Sequence, residues 1–376
     1  MQSPRFDYAV IGSSPLLLAM ALRLRRAGHS VVLFETENSL GGAWQVEEVG
    51  GLGGVECACH LIEWYVGGYE ALTRFTGTRF VPSDPQPTRV FRNGKIRPYT
   101  SRSEIVRAAF RAVLAVAITL IRLLTARAAD RSVRAMRLVA AWDSFRFFMR
   151  FRFAGIFTYS AVCRPEKGYT AFVDDLCHAV RANGVAIVEE RVTKITDKGD
   201  LAVLNAASDQ EWIARRAIVG ESSRFDGVDD GFRDDFELQY YYHIVISFPE
   251  SEISIRSDYV HFPDDPLFHR ITYVGDRKLT GEDRVVFLIQ LRCSLDEIED
   301  FDSELESILR RSKIAKNIFG YQVHGELSKE YMHRIKVRSV QQKGNVIWRI
   351  RTIGDLSRNL MLQVGMFESF SNKKFD

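Results

Sequence analysis

DYAVIGSSPLLLAMALRLRRAGHSVVLFETENSLGGAW, residues 7–44, is the stretch that decides the fold. An apolar run, Tyr8–Ile11, leads to Gly12; a helix is expected over Pro15–Ala27, and a second apolar strand, Ser30–Glu35, ends in an acid. Pro15 suits a first helical turn, where its missing N–H costs no intrahelical bond. Gly28 suits the position just past a helix end, where backbone turns left-handed. Strand, tight turn, helix, strand, acid and Gly-Gly, in that order, outline a βαβ dinucleotide site.

Such a site needs small residues at three places: for the turn, for approach of the diphosphate, and for helix–strand packing. Here the three are Gly12, Ser14 and Leu17. The first is intact, the second is a small substitution, and the third is lost. Leu17 is expected to push the helix slightly outward. Amides of Ser13 and Ser14 face the position where a phosphate meets the helix N-terminus and its partial positive charge. Glu35 ends the second strand, where a carboxylate takes both hydroxyls of an adenosine ribose that carries no 2′-phosphate. Gly12 alone reads equally as an ordinary strand–helix turn, and the departures at Ser14 and Leu17 leave open an empty scaffold.

Further along, a helix is expected over Thr170–Ala182, stopped by Asn183-Gly184. Strands follow at Val185–Val188 and Arg191–Ile195, then Leu201–Asn205 and Trp212–Val219 as a hairpin returning to the sheet. From Phe236 to Leu291 strands succeed one another without helices, which predicts an antiparallel sheet. A helix is expected at Leu295–Lys313, a strand at Val346–Ile350, and a last helix from Gly354-Asp355 to Phe370. Glu104 to Arg150 is helical in pattern and rich in arginine, including Arg107, Arg111, Arg122, Arg127, Arg131, Arg134 and Arg137. It reads as the solvated face of a long helix or helix pair, with a membrane-surface helix as the alternative.

The bulk composition is that of a globular protein: 376 residues, 46 % hydrophobic and 26 % charged, enough for two or three structural units. A net charge of +3 is too small to argue for nucleic acid. Cys57, Cys59, Cys163, Cys177 and Cys293 show no CxxC spacing, so neither a zinc site nor a redox pair is expected. Reduced thiols and the polar stretch Met1 to Asp7, which does not resemble a signal peptide, point to the cytoplasm. Ala112 to Ile121, the nearest thing to a membrane span, is cut short by Arg111 and Arg122.

With these segments laid out, the sequence resembles the FAD-dependent flavoproteins of the amine oxidase, protoporphyrinogen oxidase and UDP-galactopyranose mutase type. Residues Gly12 through Glu35 with Gly41, Gly42, Ala43 and Trp44 resemble the first two flavin motifs of that group. Cys59-His60-Leu61-Ile62-Glu63 is similar to a mutase segment whose histidine lies near the isoalloxazine. Lys167-Gly168-Tyr169 through Arg191–Ile195, with Ala217–Gly220, is similar to the middle motif, in which the Val192 backbone would reach the adenine. Arg351-Thr352-Ile353-Gly354-Asp355, after Asn345–Trp348, is similar to the C-terminal motif. There Gly354 would permit close approach and Asp355 would bond ribityl or phosphate-side groups.

The resemblance implies an α/β chain: a Rossmann-like FAD-binding domain from 1–70, 165–225 and 335–376, a mainly helical, basic insertion at 71–164, and an antiparallel-sheet substrate domain at 226–334. It implies FAD as cofactor, an organic small molecule as substrate, and Arg270 and His60 as catalytic candidates. Arg270 resembles a mutase arginine that binds the diphosphate of a nucleotide sugar, for which a planar guanidinium fork is suited. An exposed arginine on an edge strand is the plainer reading, and for His60 so is a structural histidine. Tyr99 reads as a turn aromatic, and Asp174-Asp175 as solvated helix surface. Three functions follow: hydride transfer from a substrate to flavin, isomerisation of a nucleotide sugar on reduced flavin, or a non-catalytic protein with a degenerate FAD site.

Overall fold

The computed structural model describes residues 3–36, 40–56, 62–63, 73, 76–82, 89–98, 117, 162–220, 236–255, 259–279, 282–334, 340–343 and 347–350. Two sheets organise them. The first is eight-stranded. Its parallel part runs β10 (Ala186–Val188), β2 (Val31–Phe34), β1 (Arg5–Ile11) and β13 (Glu211–Gly220). The far edge of β13 is shared. Its first half pairs antiparallel with β12 (Ala202–Ala206), itself paired with β11 (Val192–Asp197). Its second half pairs in parallel with β20 (Ile347–Ile350), which carries β19 (Val340–Lys343).

Helix α1 (Pro15–Arg26) begins with Pro15, and Gly28 turns left-handed after it at φ 93°, as the sequence predicts. Its Leu16, Leu17, Leu18, Met20 and Leu22 enter one core with Phe172, Val173, Leu176 and Val180 of α2 (Gly168–Ala182). Each fully buried side chain of this size stabilises by about 1.5–3 kcal/mol at most. Leu17, only 1 % exposed, is one of these core residues.

The second sheet, seven-stranded, has the order β18 (Gln322–Arg334), β14 (Phe236–Pro249), β17 (Glu282–Leu291), β16 (Phe268–Leu279), β15 (Tyr259–His261), β7 (Arg89–Arg92), β8 (Lys95–Pro98). The central run is antiparallel, and its strands fall where the apolar runs of Phe236 to Leu291 predict them. One face is covered by α3 (Phe301–Ser312), whose Leu305, Ile308 and Leu309 meet Ile246, Phe248, Phe287 and Ile289. This helix is shorter than the predicted Leu295–Lys313: Asp300 caps its start by accepting from the Ser303 amide at 3.1 Å, and the chain ahead forms a separate 3-10 turn.

The other face of the second sheet receives a hairpin from the N-terminal region, β3 (Val46–Val49) and β4 (Leu52–Glu56). Val49, Leu52 and Val55 pack on Val245, Val286, Leu288 and Leu327. At its tip, Gly50 lies so close to the His324 carbonyl that no side chain fits. A small third sheet joins β5 (Ile62–Glu63), β9 (Val162–Pro165) and β6 (Phe80–Pro82).

The expected helical character of 71–164 needs amending at its ends. Strands β6, β7, β8 and β9 come from there, and β7–β8 extends the second sheet through an Asn93-Gly94 turn with φ of 51° and 72°. Asn-Gly takes that left-handed pair at low cost, so the hairpin was signalled by sequence. The arginine-rich stretch 104–150 and the expected helix 354–370 lie outside the described residues, apart from residue 117.

Candidate cofactor and substrate site

Helix α1 starts at the carboxyl end of β1 and leads back to β2, which pairs with β1 in parallel. Gly12 turns at φ 98° and donates its N–H to the Phe34 carbonyl at 2.9 Å, tying the turn to β2. Ser13 is buried; its side chain and its carbonyl both accept from the Gly41 amide, at 3.0 and 3.1 Å. This draws Gly41-Gly42 onto the Ser13-Ser14 turn. A side-chain carbon on Gly42, whose φ is 55°, would meet Ser14 N and Cα at 3.3 Å.

Ser14 has φ −55° and ψ 152°, a conformation open to any residue, so replacing the second fingerprint glycine costs the backbone nothing. Its hydroxyl is buried and has no hydrogen-bond partner among the described residues. Helix α1 has no acid in its first turn and no side-chain cap. An orphaned hydroxyl beside uncapped helix amides is the donor set a phosphate oxygen requires. The residues present therefore fit a dinucleotide diphosphate.

Glu35 stands one residue past β2, its N–H donating to the Val188 carbonyl at 3.1 Å. Its Oε1 accepts from Thr36 N at 2.7 Å and Thr36 Oγ1 at 3.3 Å, which fixes the carboxylate at the strand end. Val192 is buried in the same cluster as Phe34 and Val188, so the Glu35 and Val192 segments flank one corner of the sheet. Trp44 packs on Tyr169 and Phe172, with ring centres 5.5 and 5.8 Å apart. Gly42 opens the 3-10 turn through Ala43 to Trp44. His60, Tyr99, Arg351, Gly354 and Asp355 lie outside the described residues.

Arg270 sits on β16, on the sheet face opposite α3. The register lines up His243, Gln290, Arg270 and His261 across four neighbouring strands. Gln290 Nε2 lies 3.1 Å from His243 Nε2. Arg270 stacks over the Tyr259 ring at 5.3 Å, and its Nε is buried without a hydrogen-bond partner among the described residues, as is Thr272 Oγ1. Burial, then the Arg270 charge, pushes His261 down to about 4. Burial, then Arg292 and Arg270, pushes His269 down to about 3. Both imidazoles are neutral at pH 7, which leaves Arg270 as the positive centre of the row. The sequence shows Arg270, but the row becomes visible only through register. Its one sequence signal is a polar residue inside an apolar run, His243 in HIVISF and Gln290 in VVFLIQL.

Cys177 is buried and free, its thiol pushed up to about 11 by burial, which makes it unreactive. No helix among the described residues is long and apolar enough to cross a membrane.

Residues 10–77 match the model of the NAD(P)-binding Rossmann-like domain family. No match is found among curated proteins. Among solved structures, an oxidoreductase from Methanosarcina mazei is similar over 96 % of this chain and 99 % of its own, at 16 % identity and a TM-score of 0.60. Cyclohexylamine oxidase from Brevibacterium oxydans is similar over 98 % of each chain, at 12 % identity and 0.60. Rab GDI from Plasmodium falciparum is similar over 100 % of each, at 11 % identity and 0.58. Likeness at these identities is likeness of fold alone: a Rossmann-like α/β unit together with a largely antiparallel sheet.

Proposed function

We propose that the chain is a FAD-dependent oxidoreductase that takes a hydride from a small organic substrate. The carrying observation is the Gly12–Ser14 turn with its orphaned Ser14 hydroxyl, closed over by Gly41-Gly42 and followed by Glu35 at the next strand end. Bound flavin would supply the hydride acceptor. The Ser13 and Ser14 amides and Ser14 Oγ hold the diphosphate, Glu35 takes the ribose hydroxyls, and the Val192 backbone lies toward the adenine. His60, Arg351, Gly354 and Asp355 complete the flavin side in this reading. The free thiols of Cys177 and Cys293 go with a cytoplasmic setting.

The visible spectrum tests the first half: the purified protein is expected to absorb in the flavin region (roughly 450 nm) or to gain that band with added FAD. A colourless protein indifferent to FAD supports the non-catalytic scaffold instead. Anaerobic titration with amines and alcohols tests the second half, since bleaching by one class identifies hydride donation. A flavin that no donor bleaches counts against oxidase chemistry.

A second reading, isomerisation of a nucleotide sugar with no net redox change, is favoured by one observation. Arg270 carries an unpartnered, buried Nε on the sheet face that meets the N-terminal hairpin, where a diphosphate would supply the missing acceptors. Binding of a UDP-sugar that disappears in Arg270→Ala supports it, and unaltered binding removes it.

A further inference from the structure

Among the described residues, the large apolar side chains left to solvent are Phe319, 64 % exposed, and Val323, 46 % exposed. Phe319 occupies the 3-10 turn Ile318–Gly320, and Val323 is near the start of β18. The turn is braced: Asn317 Oδ1 accepts from the Phe319 amide at 3.1 Å, and Arg284, itself buried, donates to the Gly320 carbonyl at 3.2 Å. The Arg310 guanidinium stands 5.3 Å over the Phe319 ring. A phenylalanine so exposed and so firmly held is displayed by the fold.

Beside it is an open depression of ≈ 590 Å³ lined by Ser254, Arg310, Lys313, Lys316, Asn317 and Phe319. Arg310 is partly offset by Glu306 at 3.7 Å, while among the described residues Lys316 Nζ donates to the neutral Ser251 carbonyl, which leaves its charge in place. Lys313 has φ 53°, a left-handed position glycine fills at lower cost, yet it presents an exposed cation. Favourable interaction with the carbonyl end of α3 accounts for Arg310 and Lys313. It accounts for neither Lys316 nor the displayed Phe319.

We propose that this end of the second sheet rests on an anionic membrane surface. A phosphate-bearing lipid headgroup enters the basic depression, and Phe319 and Val323 enter the boundary between headgroups and acyl chains. A free phosphate compound uses the cations but leaves both apolar side chains in water, whereas an anionic bilayer offers both chemistries side by side. The proposal stands apart from the cofactor reading.

The test is co-sedimentation of the full chain with phosphatidylcholine vesicles, with and without phosphatidylserine at about a third of the lipid. Binding is expected only to the anionic vesicles and is expected to weaken with salt. Lys313→Glu with Lys316→Glu should lower it at least about tenfold, and Phe319→Ser several-fold, with unchanged circular dichroism. Equal binding by wild type and both variants would overturn the proposal, assigning any vesicle contact to another part of the chain. Absence of vesicle binding would overturn it too. In that case a Lys313-dependent rise in melting temperature with glycerophosphoserine would reassign the depression to a soluble phosphate compound, and Lys313-dependent binding of poly-glutamate to an acidic protein partner.

Discussion

Gly42 rests on Ser14: a side-chain carbon added to the one would lie 3.3 Å from the backbone N and Cα of the other. Two segments far apart in sequence thus make one turn, and the lining of the proposed diphosphate cradle comes from both. Gly42→Ala is expected to cost about 1–2 kcal/mol of stability, because its φ of 55° disfavours a side chain. It should also lower the flavin-to-protein ratio after purification. Thermal melts and the visible spectrum measure the two effects separately.

Ser14→Ala separates folding from binding at the same turn. Removing a buried hydroxyl that has no partner should raise the stability of the cofactor-free protein by about 1 kcal/mol. If that hydroxyl meets a phosphate oxygen, the same change weakens FAD binding by roughly three- to tenfold. A variant that is more stable and binds FAD as before would remove Ser14 Oγ from the site.

Arg270→Ala should abolish most binding of an anionic substrate, a loss of about 2–3 kcal/mol, or roughly 30- to 150-fold. It also has a readout that needs no substrate. With the neighbouring positive charge gone, the titrations of His261 and His269 should move upward, which NMR of the imidazoles detects.

Acid should destabilise the second sheet earlier than its carboxylates require. His261 and His269 stay neutral in the folded protein down to about 4 and about 3, against an ordinary 6.5. Between those values the unfolded chain takes up protons that the folded one refuses, so stability falls as pH drops from about 6.5 toward 4. Denaturation midpoints measured across this range should decline, and His261→Phe should flatten the decline.

Gly50→Ala tests the join between the hairpin and the second sheet. Gly50 has φ 54° and abuts the His324 carbonyl, so a methyl group there forces the hairpin off the sheet. A loss of about 2 kcal/mol or more is expected in denaturant melts, whereas Gly51→Ala, which has open space, should cost only its backbone strain of about 1 kcal/mol.

Elements specified by local signals are legible in the sequence. Pro15, Gly28 and Asn183-Gly184 mark helix ends within a residue or two, and the strands from Tyr242 to Leu291 follow their apolar runs. What stayed hidden depends on distant partners. The hairpin in the Gly-rich stretch 41–54 carries no local signal, because it gains its apolar cover from Val245 and Leu288, far along the chain. Val323 and its strand β18 show little apolar alternation, being specified by pairing with β14. Leu17 departs from the fingerprint, and what accommodates it, the core supplied by α2, lies far along the chain.

The divided edge of β13 also sets an order of assembly. Its first half is closed by β12, which precedes it directly, but its second half waits for residues 347–350, made only after the entire second sheet has been synthesised. Until then the first sheet leaves the ribosome with a bare row of amides and carbonyls along that half of β13, open to any passing strand. The second sheet is therefore a loop that must close before the first sheet is finished, and a chain cut short before Ile347 inherits an adhesive edge beside the Gly12 turn.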